Sequence, residues 1–132
     1  MTYNHHNTIA EFLDGTAARQ PAPGGGSVAA LVGALSAAIG EMVLNYSIGK
    51  KGLEAHQTAL KQALAEMHRA RQVMLELVTE DQSAYQAFTA ARKLPGDAPD
   101  RDEQFNSALL ASIRTPEAIA ATAGQAIVRS AR

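Results

Sequence analysis

Apolar positions recur with helical spacing along the chain, in segments separated by breaks rich in glycine and proline. The first segment follows Thr8-Ile9-Ala10-Glu11, a capping-box pattern. It predicts a short helix with three apolar residues on one face, namely Ile9, Phe12 and Leu13. The second segment, from about 27 to 47, is apolar nearly all round, which places it in the middle of a bundle or at a subunit interface.

The third segment, from about 53 to 93, is long and has a heptad-like apolar spacing. The stripe comprises Leu53, Leu60, Leu64, Met67, Arg71, Met74, Val78, Asp81, Tyr85 and Phe88. Asp81 is the anomaly, because an ionised carboxylate on a buried stripe is costly unless it is paired or reaches a water-filled cleft. Either the stripe turns towards solvent at Asp81, or this carboxylate serves general acid–base chemistry.

The segment Leu94-Pro95-Gly96-Asp97-Ala98-Pro99 is a clear break. Asp100 and Glu103 form a second capping-box pattern, which predicts a helix over about 100–113. Its inward residues would be Phe105, Leu109, Leu110 and Ile113. Thr115-Pro116-Glu117 predicts the start of a separate last helix. With no alternating strand-like run anywhere, the predicted class is all-α: an antiparallel helical bundle with a central small-residue helix and one long helix.

The turn before the second helix, Pro21 to Ser27, contains Gly24, Gly25 and Gly26 in succession. Such a turn concentrates free N–H groups at a helix N-terminus, where they can hold an anion. The alternative is that the glycines only make a tight bend so that the helix can pack closely. In both interpretations, Ser27 is expected to cap the helix.

Small residues recur along one side of the second helix and would let a neighbouring helix approach closely: Gly26, Ala30, Gly33, Ala37 and Gly40. Glu41 and Asn45 are its polar exceptions, and residues near a helix end are most often partly exposed. Lys50 and Lys51 follow in a turn, where they either complement the helix dipole or bind an anionic ligand.

Composition narrows the function classes. The 132 residues include 12 basic and 13 acidic ones, so bulk charge favours neither nucleic acid nor an anionic membrane surface. The chain has no cysteine, and its start is unlike a signal peptide, so we expect one cytoplasmic domain over 1–132 without a membrane-spanning helix. His5, His6, His56 and His68 show no metal-binding spacing, so no metal is expected.

Several motifs, in order, resemble the formiminotetrahydrofolate cyclodeaminase family, which also includes methenyltetrahydrofolate cyclohydrolases. They are Pro21-Ala-Pro-Gly-Gly-Gly-Ser27 with the helix ending in Glu41-Met-Val43, then Gly49-Lys50-Lys51, Asp81-x-x-Ala-Tyr85-x-x-Phe88 and Ala91-Arg-Lys-Leu-Pro95. The resemblance covers roughly residues 7 to 130. It implies an all-α bundle that forms a homodimer and binds folate in a cleft between long helices.

The resemblance implies a substrate, a tetrahydrofolate derivative, and no tightly bound cofactor. The reaction would be cyclisation of 5-formimidoyltetrahydrofolate to 5,10-methenyltetrahydrofolate with release of ammonia, or hydrolysis of the methenyl bridge. Asp81 would be the acid–base group. Pro23, the Gly24–Ser27 turn and Asn45 would contact the substrate, and Lys50 or Lys51 would bind its glutamate tail.

Domains of the family normally carry further helices after the region matched here. The alternative function is therefore a non-catalytic helical dimer that keeps the family scaffold, with a folate-binding or protein-interaction role.

Overall fold

The computed structural model describes residues 2–130, and their side chains up to residue 126. All regular elements in this part of the chain are helical, which confirms the all-α prediction. They are α1 (Ile9–Ala17), α2 (Gly25–Ser47), a 3₁₀ turn (Glu54–His56), α3 (Gln57–Arg92) and α4 (Arg101–Ser130).

Helix α1 begins at the predicted capping box. The Thr8 hydroxyl accepts a hydrogen bond from the Glu11 N–H at 3.1 Å, and the Glu11 carboxylate accepts one from the Thr8 N–H at 2.7 Å. Hydrogen bonds to the Glu11 carboxylate, from the Thr8 N–H first and then from the Asn7 side chain, lower the pKa of Glu11. Of the three apolar residues predicted on one face, Phe12 is buried, whereas Ile9 and Leu13 are exposed because no other described element covers them.

The segment before α1 is held to α3 by Gln82, whose side chain is almost completely buried. Its amide oxygen accepts from the Tyr3 N–H, and its amide nitrogen donates to the Tyr3 carbonyl, both at 2.8 Å. The Tyr3 ring lies against Gly15 so closely that a Cβ there would be 2.4 Å from the ring. One buried amide thus fixes the start of the chain beside Asp81.

Helices α2 and α3 share the most extensive contact between elements of the described chain. The predicted small-residue side of α2 makes this possible, because Ala30 and Ala37 are buried and Gly33 and Gly40 lie against Met74 and Met67 of α3. A Cβ at Gly33 would come within 2.9 Å of the Met74 side chain. Close packing of α2 through its small residues is therefore confirmed.

The opposite face of α2 is exposed, although it is strongly apolar. Its large exposed residues are Val32, Leu35, Ile39, Met42, Val43 and Tyr46. The expectation that α2 lies in the middle of the bundle is therefore wrong within one chain, because α3 and α4 cover only one side. By length and composition α2 is also apolar enough to cross a membrane, a property shared by core helices, and 28% of its most apolar window is buried.

Helix α3 follows the predicted long segment and ends at the predicted break. Of its heptad-like stripe, Met67, Met74 and Val78 are buried, whereas Tyr85 is 46% exposed. The stripe is thus more open to solvent around Asp81 and Tyr85, and the acid–base interpretation of Asp81 stays a prediction.

Helix α4 packs antiparallel on α3, and its course corrects the prediction of two helices. It runs unbroken through Pro116. Thr115 and Ile119, on either side of the proline, are buried, and Ile119 belongs to the main core. This packing keeps the helix continuous although Pro116 lacks one N–H donor.

Two further predictions for α4 are wrong. Asp100 has φ 59°, whereas the N-cap of a capping box is extended. Leu110 and Ile113 are about half exposed, because Ala108, Thr115 and Ile119 form the buried face instead.

Candidate functional site

The predicted acid–base residue meets the Gly-rich turn directly. Oδ2 of Asp81 accepts a hydrogen bond from the Ser27 backbone N–H at 3.0 Å, and the Ser27 hydroxyl oxygen lies 3.3 Å from the same atom. Asp81 is half-buried and Ser27 is fully buried. The structure therefore brings together two residues that are 54 positions apart in the sequence.

Gly26 is what allows this contact. A Cβ on Gly26 would lie 2.0 Å from Oδ1 and 2.4 Å from Cγ of Asp81, far inside contact distance. Gly25, by contrast, has nothing within 4 Å of an added Cβ. The three glycines are thus not equivalent. Only the position beside Asp81, Gly26, has no room for a side chain because of that contact.

The anion at the start of α2 is supplied by the protein itself. The helix begins at Gly25 with Gly24 as N-cap and no side-chain cap, so the prediction that Ser27 caps the helix is wrong. Ser27 lies inside the first turn, where its N–H has no partner within the helix. The Asp81 carboxylate, which α3 contributes, accepts a hydrogen bond from this N–H of α2. The positive end of the α2 dipole favours a negative charge at this place.

The Ser27 hydroxyl can form a hydrogen bond with Asp81 as a donor or as an acceptor. It has one hydrogen and lies 2.7 Å from the Val78 carbonyl, closer than to Asp81. While it donates to Val78, its oxygen can accept a hydrogen from a protonated Asp81. Oδ1 of Asp81, which lies against Gly26, makes no hydrogen bond within the described chain.

The rest of the predicted substrate set divides into two groups. Pro23 is buried at the start of the turn, and Gly24 and Gly25 lie beside Ser27. Asn45, Lys50 and Lys51 are exposed at the other end of α2. Eighteen residues of helix separate Ser27 from Asn45, about 27 Å at 1.5 Å per residue. Within one chain, the two groups do not form one site.

The turn that carries the lysines has the predicted form. Gly49 and Gly52 take φ values of 76° and 89°, which glycine adopts without strain. Both lysine side chains are exposed.

We refer below to Pro23–Ser27 with Asp81 as the Asp81 junction.

A second polar cluster, which sequence reasoning did not assemble, joins α2 to α3 near their other ends. Glu41 is 9% exposed and forms an ion pair with the Arg71 side chain through Nε, with Nη2 at 3.3 Å from its second oxygen. Nδ1 of His68 lies 2.9 Å from Oε1 of Glu41. The signal available in the sequence was that Glu41 is the only charged residue of α2 and Arg71 interrupts the apolar stripe of α3.

The cluster changes the acidity of its members. Hydrogen bonding from Arg71 lowers the pKa of Glu41, although burial acts in the opposite direction, and His68 adds a smaller lowering. The same contact with Glu41 raises the pKa of Arg71. Both groups are therefore charged at neutral pH, and Glu41 is the carboxylate that α2 contributes to α3.

Among the residues that the structure describes, no group of three or more His, Cys, Asp or Glu side chains could hold a metal ion. Of the four histidines, His68 has a half-exposed side chain that is bound to Glu41.

Comparison with known proteins identifies the scaffold that carries the Asp81 junction. The family model described as Formiminotransferase-cyclodeaminase matches residues 8–131. The chain belongs to this family. The resemblance drawn from the Gly-rich turn and the Asp81 motif is thereby confirmed.

Two curated relatives and one solved structure illustrate the relationship. Methenyltetrahydrofolate cyclohydrolase of Methylorubrum extorquens is 40% identical over 90 residues, which are 68% of this chain and 43% of the relative. Formimidoyltransferase-cyclodeaminase of Gallus gallus is 32% identical over 107 residues, 81% and 20% of the two chains. The crystal structure of formiminotetrahydrofolate cyclodeaminase from Thermotoga maritima superimposes with a TM-score of 0.80 at 29% identity, over 89% of this chain and 56% of that one.

The chain thus spans less than half the length of these curated relatives. The cyclohydrolase of Methylorubrum extorquens and the cyclodeaminase of known structure are both named for tetrahydrofolate compounds.

Proposed function

We propose that this protein is a folate-dependent one-carbon enzyme that acts at the Asp81 junction. Its reaction would be cyclisation of 5-formimidoyltetrahydrofolate to 5,10-methenyltetrahydrofolate with release of ammonia, or hydrolysis of the methenyl bridge. The observation that carries the proposal is the geometry of Asp81, with Oδ2 anchored by Ser27 and Oδ1 without a hydrogen bond in the described chain. The names of the relatives support the substrate class.

Both reactions pass through a tetrahedral carbon between two folate nitrogens and need a proton moved at a leaving group. In the cyclisation, N10 attacks the formimidoyl carbon, and ammonia leaves once its nitrogen is protonated. In the hydrolysis, water attacks the methenyl carbon and one ring nitrogen takes a proton as its C–N bond breaks. A single positioned carboxyl group can give or take that proton. The Ser27 hydroxyl would stabilise whichever form of Asp81 results.

The Gly-rich turn would contact the pterin, with Pro23 and Gly24 to Gly26 forming the wall beside Asp81. The glutamate tail is a different matter. Lys50 and Lys51 lie beyond Asn45, at the opposite end of α2 from the Asp81 junction. A second copy of the chain could bring these lysines beside the Asp81 junction.

We therefore include a homodimer, formed through the exposed apolar face of α2, in the proposal. An antiparallel pairing of two α2 helices would bring the lysine turn of one copy beside the Gly-rich turn of the other. Burial of large apolar side chains would stabilise this pairing. Size-exclusion chromatography with light scattering should give twice the chain mass, and replacement of Leu35 and Ile39 with Ser should give a monomer. A monomeric wild type would contradict the dimer.

Two assays test the reaction. Absorbance of methenyltetrahydrofolate should fall under hydrolysis and rise when 5-formimidoyltetrahydrofolate is cyclised. The alternative function, a non-catalytic dimer, predicts folate binding by calorimetry with neither change. Absence of binding and of turnover would contradict both the enzyme and a folate-binding dimer, and would leave the protein-interaction role.

Replacement of Asp81 with Asn tests the proposed role directly. Turnover should fall at least about a hundredfold, because the amide keeps the shape of the side chain but cannot exchange the proton. Circular dichroism should show an unchanged helical fold. Glu80→Gln is the matched control, since Glu80 is the exposed neighbour and should retain full activity. Equal turnover of Asp81→Asn and wild type would remove Asp81 from the mechanism.

A further inference from the structure

The side-chain amide of Gln82 is almost completely buried beside the Asp81 junction, and both of its polar atoms have partners. Its oxygen accepts a hydrogen bond from the Tyr3 N–H at 2.8 Å, and its nitrogen donates one hydrogen to the Tyr3 carbonyl at 2.8 Å. The nitrogen donates its other hydrogen to the Val78 carbonyl at 2.9 Å. Anchoring of the N-terminal segment, residues 2–8, does not explain this third hydrogen bond.

The Val78 carbonyl is the group at which Gln82 and Ser27 meet. It accepts a hydrogen bond from the Ser27 hydroxyl at 2.7 Å as well as from the Gln82 amide. Within α3 it is also the acceptor for the backbone N–H four residues later. A carbonyl oxygen has two lone pairs, so three donors are more than it requires. The helical N–H and the Gln82 amide are therefore sufficient for this carbonyl without Ser27.

The second acceptor near the Ser27 hydroxyl is Oδ2 of Asp81, at 3.3 Å. When Asp81 has given its proton away, this oxygen is the stronger acceptor, because hydrogen bonds to charged groups are stronger than those to neutral ones. The hydroxyl then gains by turning from Val78 to Asp81. That turn would be costly if it left the carbonyl of Val78, a buried residue, short of a donor.

We propose that Gln82 is a positioning residue for the proton transfer at Asp81. By keeping the Val78 carbonyl satisfied, the Gln82 amide lets the single hydroxyl hydrogen of Ser27 turn to Asp81 as the carboxyl group loses its proton. Gln82 does not touch the substrate and acts only through Val78 and Ser27. Its effect on the rate rests on the proposed function, whereas the direction of the Ser27 hydroxyl can be measured without any substrate.

Gln82→Met tests the direction of the hydroxyl, because methionine is similar in length but has no hydrogen to donate. The readout is the ¹³Cγ NMR signal of Asp81 in H₂O and in D₂O at neutral pH, since deuterium in a donated hydrogen bond shifts the carboxylate signal. Ser27→Ala removes the hydroxyl and keeps the backbone N–H, so its isotope shift lacks only the hydroxyl contribution. Gln82→Met should give the same reduced isotope shift as Ser27→Ala.

Two results of this comparison would overturn the proposal. One is a wild-type isotope shift in Gln82→Met, which would mean that the amide does not control the hydroxyl. The other is an equal isotope shift in wild type and Ser27→Ala, which would mean that the hydroxyl does not donate to Asp81. Circular dichroism should show an unchanged helical fold, and Gln82→Leu, which also lacks a donor, replaces Gln82→Met if the latter does not fold.

Kinetics provide the second arm of the test. Gln82→Met should lower kcat by about 3- to 10-fold and leave KM unchanged, because one hydrogen bond is lost in the proton transfer and none to the substrate. In the Ser27→Ala background the same substitution should lower kcat no further, and an equal fall in both backgrounds contradicts the proposal. A wild type without turnover contradicts the proposed function, and the NMR comparison then still tests Gln82.

Two controls separate this role from anchoring of the N-terminal segment. Gly15→Ala places a methyl group too close to the Tyr3 ring and should displace the segment, while Gln82 can still donate to Val78. It should keep the wild-type isotope shift at Asp81, and a shift as low as that of Gln82→Met would overturn the proposal. Gln86→Met is the same substitution one turn later, at an exposed residue that contacts Thr2, and should change neither readout.

Discussion

The two ends of α2 are each joined to α3 by a carboxylate, but the partners are of opposite kinds. At the Asp81 junction, α3 provides the carboxylate and α2 provides a backbone N–H and a hydroxyl. At the Glu41 cluster, α2 provides the carboxylate and α3 provides two side chains, from His68 and Arg71. The first contact depends on where the main chain runs, and the second on long side chains that can adjust.

This difference predicts how each contact responds to change. A backbone donor cannot move away when its neighbour grows, so the Asp81 junction tolerates no added atom at Gly26. The side chains of the Glu41 cluster are half-exposed on the α3 side, so water can replace a lost partner there. The Asp81 junction is therefore the less adjustable of the two contacts, which suits the proton-transfer role proposed for Asp81.

Gly26→Ala should be the most disruptive substitution. The new methyl group would overlap Oδ1 and Cγ of Asp81, so either α2 shifts or the carboxylate is expelled from Ser27. We expect a loss of about 2–4 kcal/mol in the free energy of unfolding, measured by urea denaturation, because overpacking is added to a lost charged hydrogen bond. Turnover should fall with it.

Gly25→Ala is the matched control, one residue earlier in the same helical turn. An added Cβ meets nothing within 4 Å, so the free energy of unfolding should stay the same or rise by up to about 1 kcal/mol. If Gly25→Ala and Gly26→Ala destabilised equally, the contact with Asp81 would not be the reason that Gly26 must be small.

Glu41→Gln should have a smaller effect than Gly26→Ala. The amide removes the charge that Arg71 and His68 share, but Arg71 is 33% exposed and can turn to water. We expect a loss of about 1–3 kcal/mol in the free energy of unfolding, the range for a hydrogen bond to a charged group. Glu76→Gln, an exposed change on α3, should be neutral. Equal stability of Glu41→Gln and wild type would show that the cluster contributes nothing.

The pH dependence of stability should show the smallest effect. The pKa of Glu41 lies below its ordinary 4.5 in the folded protein, with Arg71 as the main cause. Between the folded pKa and 4.5, the unfolded chain binds a proton at Glu41 more readily than the folded protein does. The stabilisation from ionised Glu41 is therefore complete above about pH 4.5 and declines as pH falls through the folded pKa.

Urea unfolding of wild type and Glu41→Gln measures this contribution. The gap in unfolding free energy seen at pH 7 should narrow as the pH falls below 4.5 and close once Glu41 is also protonated in the folded protein, since both proteins then carry a neutral group at position 41. The lowered pKa values of Glu11 and Glu54 are common to the two proteins and cancel. A gap that stayed constant to the acid limit would contradict the assigned shift.

Local signals predicted the parts of the fold that depend on neighbouring residues. The capping box at Thr8 and the break at Leu94–Pro99 act within a few residues, and both are where the sequence placed them. The prediction of a new helix at Pro116 was wrong because packing overrides the local preference of proline for a helix start. Thr115 and Ile119 are buried on either side of the proline and keep α4 continuous. The sequence left open whether the apolar faces of α2 pack within one chain or at a subunit interface, because apolar residues do not specify which neighbours cover them.

The candidate site divides along similar lines. Asp81 and the Gly-rich turn were both noticed, one as a charge on an apolar stripe and the other as a run of glycines. Their contact across 54 residues follows only from the antiparallel packing of α2 on α3. Glu41 and Arg71 were each visible as interruptions, but their pairing across 30 residues depends on the same register and could not be inferred from either helix alone.

The two carboxylates also fix how far α2 can slide. A helix that moves along its neighbour usually does so by a turn, about 5.4 Å, exchanging one set of ridges for the next. Here such a step would separate Ser27 from Asp81 and Glu41 from Arg71 together, and would drive Gly33 and Gly40 off the methionines they accommodate. We therefore expect that α2 does not slide along α3 when a ligand binds. Changes in α2 would be limited to side-chain rotation and to the residues of the exposed apolar face.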